Sequence, residues 1–165
     1  MASNSNFNRA LPDTGILKKD ACVVLIKTEW NAFITDQLER GAIAILEQQG
    51  VKKIIVLTVP GAVEIPFAIS AFQTHRAKAE KPDAYIALGC VIKGETPHFD
   101  YVCQAVNQGV LQLNLTLPVP VIFGVLTVNS EEQAMERIGG RHGHKGEEAA
   151  LTALKMIDLL ESFKN

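Results

Sequence analysis

The chain is poor in the features that mark secreted, membrane-spanning and nucleic-acid-binding proteins. It has three cysteines in 165 residues, Cys22, Cys90 and Cys103. The count is odd and no two lie close in sequence, which argues against a disulfide framework. Cys22 and Cys90 fall in apolar runs, where a free cysteine acts as a small hydrophobe. No motif pairs any of the three with a histidine, so a cysteine nucleophile is disfavoured. Acidic and basic residues nearly cancel, 18 against 16, for a net charge of −2, so no basic field argues for nucleic acid. No apolar run approaches the ~20 residues of a membrane span, and the polar start Met1–Arg9 has no apolar signal-peptide core. A Walker sequence and a Gly-x-Gly-x-x-Gly run are both missing, which removes the common nucleotide-phosphate motifs. The absences together imply a reducing, cytoplasmic setting, in which the sequon Asn114-Leu115-Thr116 has no consequence.

What is present is a composition of 47% hydrophobic and 21% charged residues, as in a globular domain large enough to bury a core. Residues 1–15 are rich in Asn and Ser with breakers at Pro12 and Gly15, and read as a flexible arm before a single domain over 16–165. Four short apolar runs follow: Ala21–Ile26, Lys53–Val59, Ala84–Leu88 and Val121–Leu126. Helical patterns separate them, over about 32–49, from Pro66 towards His75, from Pro97 to about 115, and from about Lys145 to Phe163. Ser130-Glu131-Glu132-Gln133 adds a capping-box pattern for a short helix through Arg137. Apolar strands alternating with helices predict an α/β fold, a four-stranded parallel sheet flanked by helices in a three-layer αβα sandwich. The helices after Pro97 and Lys145 are apolar over more than one stripe, more than a small sheet covers. The excess points to subunit contacts.

In an open α/β sheet, ligands bind beyond the carboxyl ends of the strands. That rule selects Glu29-Trp30-Asn31, Pro60 to Glu64, Val91 to His98, and Phe123 to Thr127. Trp30 and Phe123 offer flat faces for a planar ring, and Glu64 can accept hydrogen bonds. Thr96 suits an N-cap and Pro97 a first helical position, so the amides of Gly94, Glu95 and Thr96 face an anion at a positive helix end. His98 follows, a residue type that exchanges protons near neutral pH. Taken alone, this stretch is equally an ordinary βα turn with a surface histidine. The cationic cluster Arg137, Arg141, His142, His144, Lys145 reads as a solvated turn, and two histidines without further ligands do not make a metal site.

Six segments together resemble the lumazine synthase family of riboflavin biosynthesis: Trp30-Asn31, Pro60-Gly61-Ala62-Val63-Glu64-Ile65-Pro66, Gly89 to Tyr101, Phe123 to Thr127, Glu132 to Arg137, and Lys145 to Ala150. The likeness runs in order from about Val23 to Leu160. It implies a flavodoxin-like fold and a transferase that condenses 5-amino-6-(D-ribitylamino)uracil with 3,4-dihydroxy-2-butanone 4-phosphate. The products are 6,7-dimethyl-8-ribityllumazine, phosphate and water, with no metal or organic cofactor. The resemblance further implies that Trp30 stacks on the pyrimidine with Asn31 beside it. Ala62, Val63 and Glu64 meet the ribityl chain, Val91 and Ile92 read the pyrimidine edge, and Lys93, Gly94, Glu95 and Thr96 surround the phosphate. His98 shuttles protons, and Phe123, Arg137 and Lys145 come from a neighbouring subunit, with Arg137 at the phosphate. Lys93 stands where many members carry arginine, Glu95 where small residues are common, and His142 and His144 where alanine and asparagine are frequent. The family forms homopentamers, some of which pack into an icosahedral 60-mer that can enclose riboflavin synthase. The short turn from Gly139 to Lys145 resembles that of shell formers. Two readings from other classes are a flavin- or lumazine-binding shell without catalysis and a phosphate-responsive signalling module. The His98, Glu64 and Arg137 set opposes the first; the lack of an acidic cluster after the first strand opposes the second.

Overall fold

The computed structural model describes residues 20–77 and 81–164. The arm expected over residues 1–15 lies outside the described residues, as does the middle of the polar connection from His75 to Lys81. Four strands, β1 (Cys22–Thr28), β2 (Lys53–Val59), β3 (Ala84–Ile92) and β4 (Val121–Val128), form one all-parallel sheet in the order β2-β1-β3-β4. The helices are α1 (Ala32–Gln48), α2 (Ile65–His75), α3 (His98–Thr116), α4 (Glu131–Met135) and α5 (Lys145–Ser162), and a short hairpin of β5 (Ile138–Gly140) and β6 (Gly143–His144) joins the last two.

The side-chain alternation of the strands divides the apolar residues between two cores. Val23, Leu25, Ile86, Leu88 and Cys90 pack with Leu38 and Ala42 of α1 and with Ala150, Leu154 and Ile157 of α5. Val24, Ile26, Tyr85 and Ala87 pack on the other side with Ile65 and Ile69 of α2 and Val106, Val110 and Leu113 of α3. Central strands covered on both faces must be apolar throughout, which is why β1 and β3 read as unbroken runs. The expected three-layer, flavodoxin-like αβα sandwich is what forms.

Polar ties fix the layers. Lys27 on β1 pairs with Asp36 (2.6 Å) and Glu39 (2.5 Å) of α1, and hydrogen bonds to those carboxylates hold its ammonium above its ordinary pKa. The buried Tyr85 hydroxyl donates to Gln73 Oε1 of α2 at 2.8 Å. Asn114 near the end of α3 clips the start of β4: its Nδ2 donates to the Val121 carbonyl (2.8 Å) and its Oδ1 accepts from the Val121 amide (2.9 Å).

Several boundaries differ from the sequence reading. β3 extends through Gly89–Ile92, because β4 continues opposite it, in register from Gly89↔Val125 to Ile92↔Val128. Val91 and Ile92 are therefore strand, and the loop shrinks to 93–97. Ala62–Glu64 is a 3-10 turn ahead of α2. α4 ends at Met135 rather than Arg137, although the capping bonds are present: Ser130 Oγ accepts from the Gln133 amide, and Gln133 Oε1 accepts from the Asn129 amide. The glycines after it build the β5–β6 hairpin, with Gly139 and Gly143 at φ 116° and 74°, a backbone region that favours glycine.

Candidate active site

α1 covers one face of the sheet while α2 and α3 cover the other, so successive connections diverge between β1 and β3. At such a switch point the general rule for open α/β sheets places the ligand crevice, outside the carboxyl ends of the two strands. The loops around it are stitched together by the backbone. The Glu29 amide donates to the Val59 carbonyl (2.8 Å), the Trp30 amide to Pro60 (3.2 Å), and the Lys93 amide to Val128 (2.9 Å). Asn31 spans the crevice itself, its Nδ2 donating to the Cys90 carbonyl at 2.8 Å. It adopts φ 58°, the left-handed region, the single non-glycine residue to do so among those described. Asparagine tolerates that conformation better than most residues, and the hydrogen bond holds it there. The bend leaves Trp30 74% exposed at the mouth.

Gly61 explains how Trp30 and Glu64 come to share a space. A Cβ on Gly61 would lie 3.0 Å from Glu64 Oε2 and 3.9 Å from Trp30 Cδ1. With no side chain there, indole and carboxylate flank the same spot. Val63 is half exposed, whereas Ala62 is in the core with Ile65 and Val59, so Ala62 can meet a ligand only through its backbone. Val91 and Ile92 end β3, partly covered, and Lys93, Gly94, Glu95, Thr96 and His98 are all exposed.

α3 begins one residue later than its sequence suggests. Pro97 occupies the cap position, its carbonyl receiving the amides of Asp100 (3.0 Å) and Tyr101 (3.4 Å). Thr96 therefore makes no capping bond, and its hydroxyl is free to face a ligand. Among the described residues no hydrogen bond engages the amides of Gly94, Glu95 or Thr96. Unpaired donors at the start of a 19-residue helix favour an anion.

The remaining expected residues are elsewhere. Phe123 is inside β4, within the run Val121–Leu126 expected as a strand, and because β4 runs on to Val128 the segment Phe123 to Thr127 is strand, not loop. Phe123 is level with Ala87, four residues or about 13 Å along the strand from the level of Val91. Arg137 Nη1 donates to the Gln133 carbonyl (2.7 Å) and lines a cleft of about 220 Å³ with Glu132, Gln133, Glu136, Arg141 and His142. Lys145 starts α5 and binds both oxygens of Glu148 at 2.7 and 2.8 Å. No hydrogen bond or ion pair among the described residues joins Arg137 or Lys145 to Trp30, Glu64 or His98. Within the chain these two cations are bonded to α4 and α5, not to the crevice residues.

Cys90, at the crevice, is the cysteine best placed for chemistry. Burial pushes its thiol up to about 11, which keeps it protonated and unreactive near neutral pH. Among the described residues no group of three or more His, Cys, Asp and Glu side chains could hold a metal ion, and no helix is long and apolar enough to cross a membrane. The sequence reading missed the Asn31 amide as a fastener and Gly61 as a spacer. Asn directly after the strand, and the Pro-Gly pair, are their signals.

The family model described as 6,7-dimethyl-8-ribityllumazine synthase matches residues 20–161. The chain belongs to the lumazine synthase family. A 6,7-dimethyl-8-ribityllumazine synthase of Porphyromonas gingivalis is 51% identical over 143 residues, covering 86% of each chain. One from Bacteroides fragilis is 49% identical over 84% of this chain and 95% of its own. One from Parabacteroides distasonis is 44% identical over 94% and 93%. The match begins where the described fold begins and takes in both groups of lumazine synthase candidate residues.

Proposed function

We propose that the crevice between β1 and β3 binds both substrates of the family's reaction and that a second copy of the chain completes it. The chain is a transferase of riboflavin biosynthesis. It condenses 5-amino-6-(D-ribitylamino)uracil with 3,4-dihydroxy-2-butanone 4-phosphate to give 6,7-dimethyl-8-ribityllumazine. The observation that carries the site is the convergence of an exposed indole, a carboxylate beside it, and a row of unpaired amides ahead of His98 around one crevice.

In this reading the pyrimidine stacks on Trp30 beside Asn31, with its edge on the Val91 and Ile92 backbone. The ribityl hydroxyls meet Glu64, Val63 and the Ala62 backbone. The phosphate lies against the Gly94, Glu95 and Thr96 amides and the Thr96 hydroxyl, with Lys93 nearby. The 5-amino nitrogen attacks the ketone carbon and water leaves, giving an imine. Loss of the C3 proton then expels phosphate from C4, and the resulting enol becomes a methyl ketone. The ribityl-bearing nitrogen closes on that carbonyl and a second water leaves. Each step moves a proton within reach of the crevice, the role assigned to His98. The steps are redox-neutral, so the electron balance closes without a carrier. Both reactants are intrinsically reactive, so holding them together with charge placed on the phosphate is the main task of the protein.

In this reading Phe123, Arg137 and Lys145 enter from a neighbour, Arg137 at the phosphate. The apolar residues left exposed on α2 and α3, Phe67, Tyr101, Leu111 and Leu115, supply the surface for a homopentamer. An icosahedral shell around riboflavin synthase, in the cytoplasm, extends the same reading and is tested by particle size. The function is tested by mixing the two substrates and following lumazine absorbance and fluorescence; product no faster than without protein overturns it. Sharing of the site is tested by assembling His98→Ala and Arg137→Ala chains together. Mixed particles regain activity above either variant alone if the halves come from different chains, and stay at the average of the two if they do not.

A further inference from the structure

We propose that His144 is a positioning residue that sets Arg137 and Lys145 for the phosphate of the substrate. The proposal rests on the assignment of those two cations to the phosphate end of the site; its own support is the seat of the imidazole ring. His144 is the last residue of β6 and the N-cap of α5, and its Nδ1 accepts from the Glu147 amide at 3.4 Å. The ring also fills a notch in α1 made by Gly41. A Cβ at residue 41 would fall 2.2 Å from His144 Cε1 and 2.5 Å from Nδ1, and one on Gly139 of β5 would lie 3.9 Å from Cδ2. The imidazole is therefore held between α1, the hairpin and the start of α5.

That seat governs the two cations through the backbone. His144 pairs with Ile138 across the hairpin, and the Lys145 amide donates to the Arg137 carbonyl at 2.8 Å. Arg137 precedes one member of the pair and Lys145 follows the other. The hairpin carries glycines at 139, 140 and 143, which do little to stiffen it, so its position depends on Ile138, packed on the core, and on the His144 cap at the start of α5. An unprotonated Nδ1 is required to accept the Glu147 amide. The charged groups within about five residues of the ring's contacts are Asp36, Glu39 and Arg40 of α1, Glu136, Arg137, Arg141 and His142 at the hairpin, and Lys145, Glu147 and Glu148 of α5. Asp36 and Glu39 are engaged by Lys27, Glu136 by Arg141 and Glu148 by Lys145. Protonation of Nδ1 would take away the lone pair that accepts the Glu147 amide.

The test is steady-state kinetics of the assembled enzyme with 3,4-dihydroxy-2-butanone 4-phosphate varied, from about pH 6 to about pH 8. His144→Ala raises KM for this substrate about 5-fold, the factor equivalent to a lost N-cap, with kcat within about 2-fold. His144→Asn, whose side-chain carbonyl caps without titrating, restores it. Wild-type KM rises towards acid more steeply than that of His144→Asn. An unchanged KM in His144→Ala, an Asn variant as impaired as the Ala variant, or identical pH profiles would each overturn the proposal. Should the Ala variant fail to assemble, the pH comparison with His144→Asn decides alone. Arg137→Ala separates the two levels: if it leaves the phosphate-substrate KM unchanged, the site assignment falls and this proposal with it. If Arg137→Ala raises KM while His144→Ala does not, only the positioning role falls.

Discussion

The two helical layers meet the same sheet by opposite strategies. On the α1/α5 side the helices approach until backbone touches backbone: a Cβ on Gly146 would lie 2.1 Å from the Leu38 carbonyl oxygen. On the α2/α3 side Phe67, Tyr101 and Leu115 are each more than two-thirds exposed, an exposure that no large apolar residue within α1 or α5 reaches. The first layer leaves its large apolar side chains less exposed, Phe33 and Leu159 at under half. The second carries apolar surface that gains only if another molecule covers it. The crevice loops lead into both layers.

The sharpest way to break this contrast is to crowd each side in turn. Gly146→Ala drives a methyl into the Leu38 carbonyl, a backbone atom that cannot step aside, and is expected to cost about 3 kcal/mol in urea unfolding. Gly109→Ala on α3 meets only the Pro66 ring, at 2.4 Å, and is expected to cost about 1 kcal/mol. Equal costs would mean that the two layers are equally tight. Next in size is Phe67→Glu combined with Leu115→Glu. Both sites are solvent-facing in one chain, so circular dichroism should be unaltered while sedimentation shows association weakened about 10-fold or more. If association is unaffected, the exposed α2/α3 surface is not the one that neighbours cover.

His98→Ala is expected to lower turnover about 10-fold, the low end for a proton-transfer group, with secondary structure intact. A loss below 2-fold would leave the amides and Trp30 as the whole of the α3-side contribution. The smallest effect concerns Lys27, whose pKa is raised by hydrogen bonds to Asp36 and Glu39. A raised lysine stabilises the fold fully below its ordinary value of about 10.4 and loses that contribution as pH rises through the folded value. Stability measured from about pH 8 to about pH 11 should fall more in the wild type than in Lys27→Met. Parallel curves would mean that this α1–β1 tie contributes nothing measurable.

The layers were readable because unbroken apolar runs such as Cys22–Ile26 mark strands covered on both faces; the spatial order of the strands was not. The crevice was readable for the same reason: once the strands are known, their carboxyl ends are known. Reading failed where tertiary pairing overrode local signals. Gly89 suggested the end of a strand, but β4 continued opposite it and carried β3 to Ile92. The segment Phe123 to Thr127 was taken as a carboxyl-end loop because nothing in its neighbours reveals that β4 extends to Val128. The left-handed Asn31 and the ring of His144 in the notch at Gly41 depend on contacts 59 and 103 residues away in sequence, beyond any window of local pattern.

Asn114 carries a last consequence. It is the acceptor position of a glycosylation sequon, yet its side-chain nitrogen donates to the Val110 carbonyl (3.2 Å) as well as to Val121. A sugar on that nitrogen would leave one hydrogen for two carbonyls and set a bulky group against the edge where β4 begins. Production of this chain in a secretory host would therefore put glycan transfer in competition with folding at a single amide. Asn114→Asp would not be a neutral remedy, because the carboxylate cannot donate to either carbonyl. Thr116→Ala would be the gentler choice: its hydroxyl bonds only to the Gln112 and Leu113 carbonyls within α3.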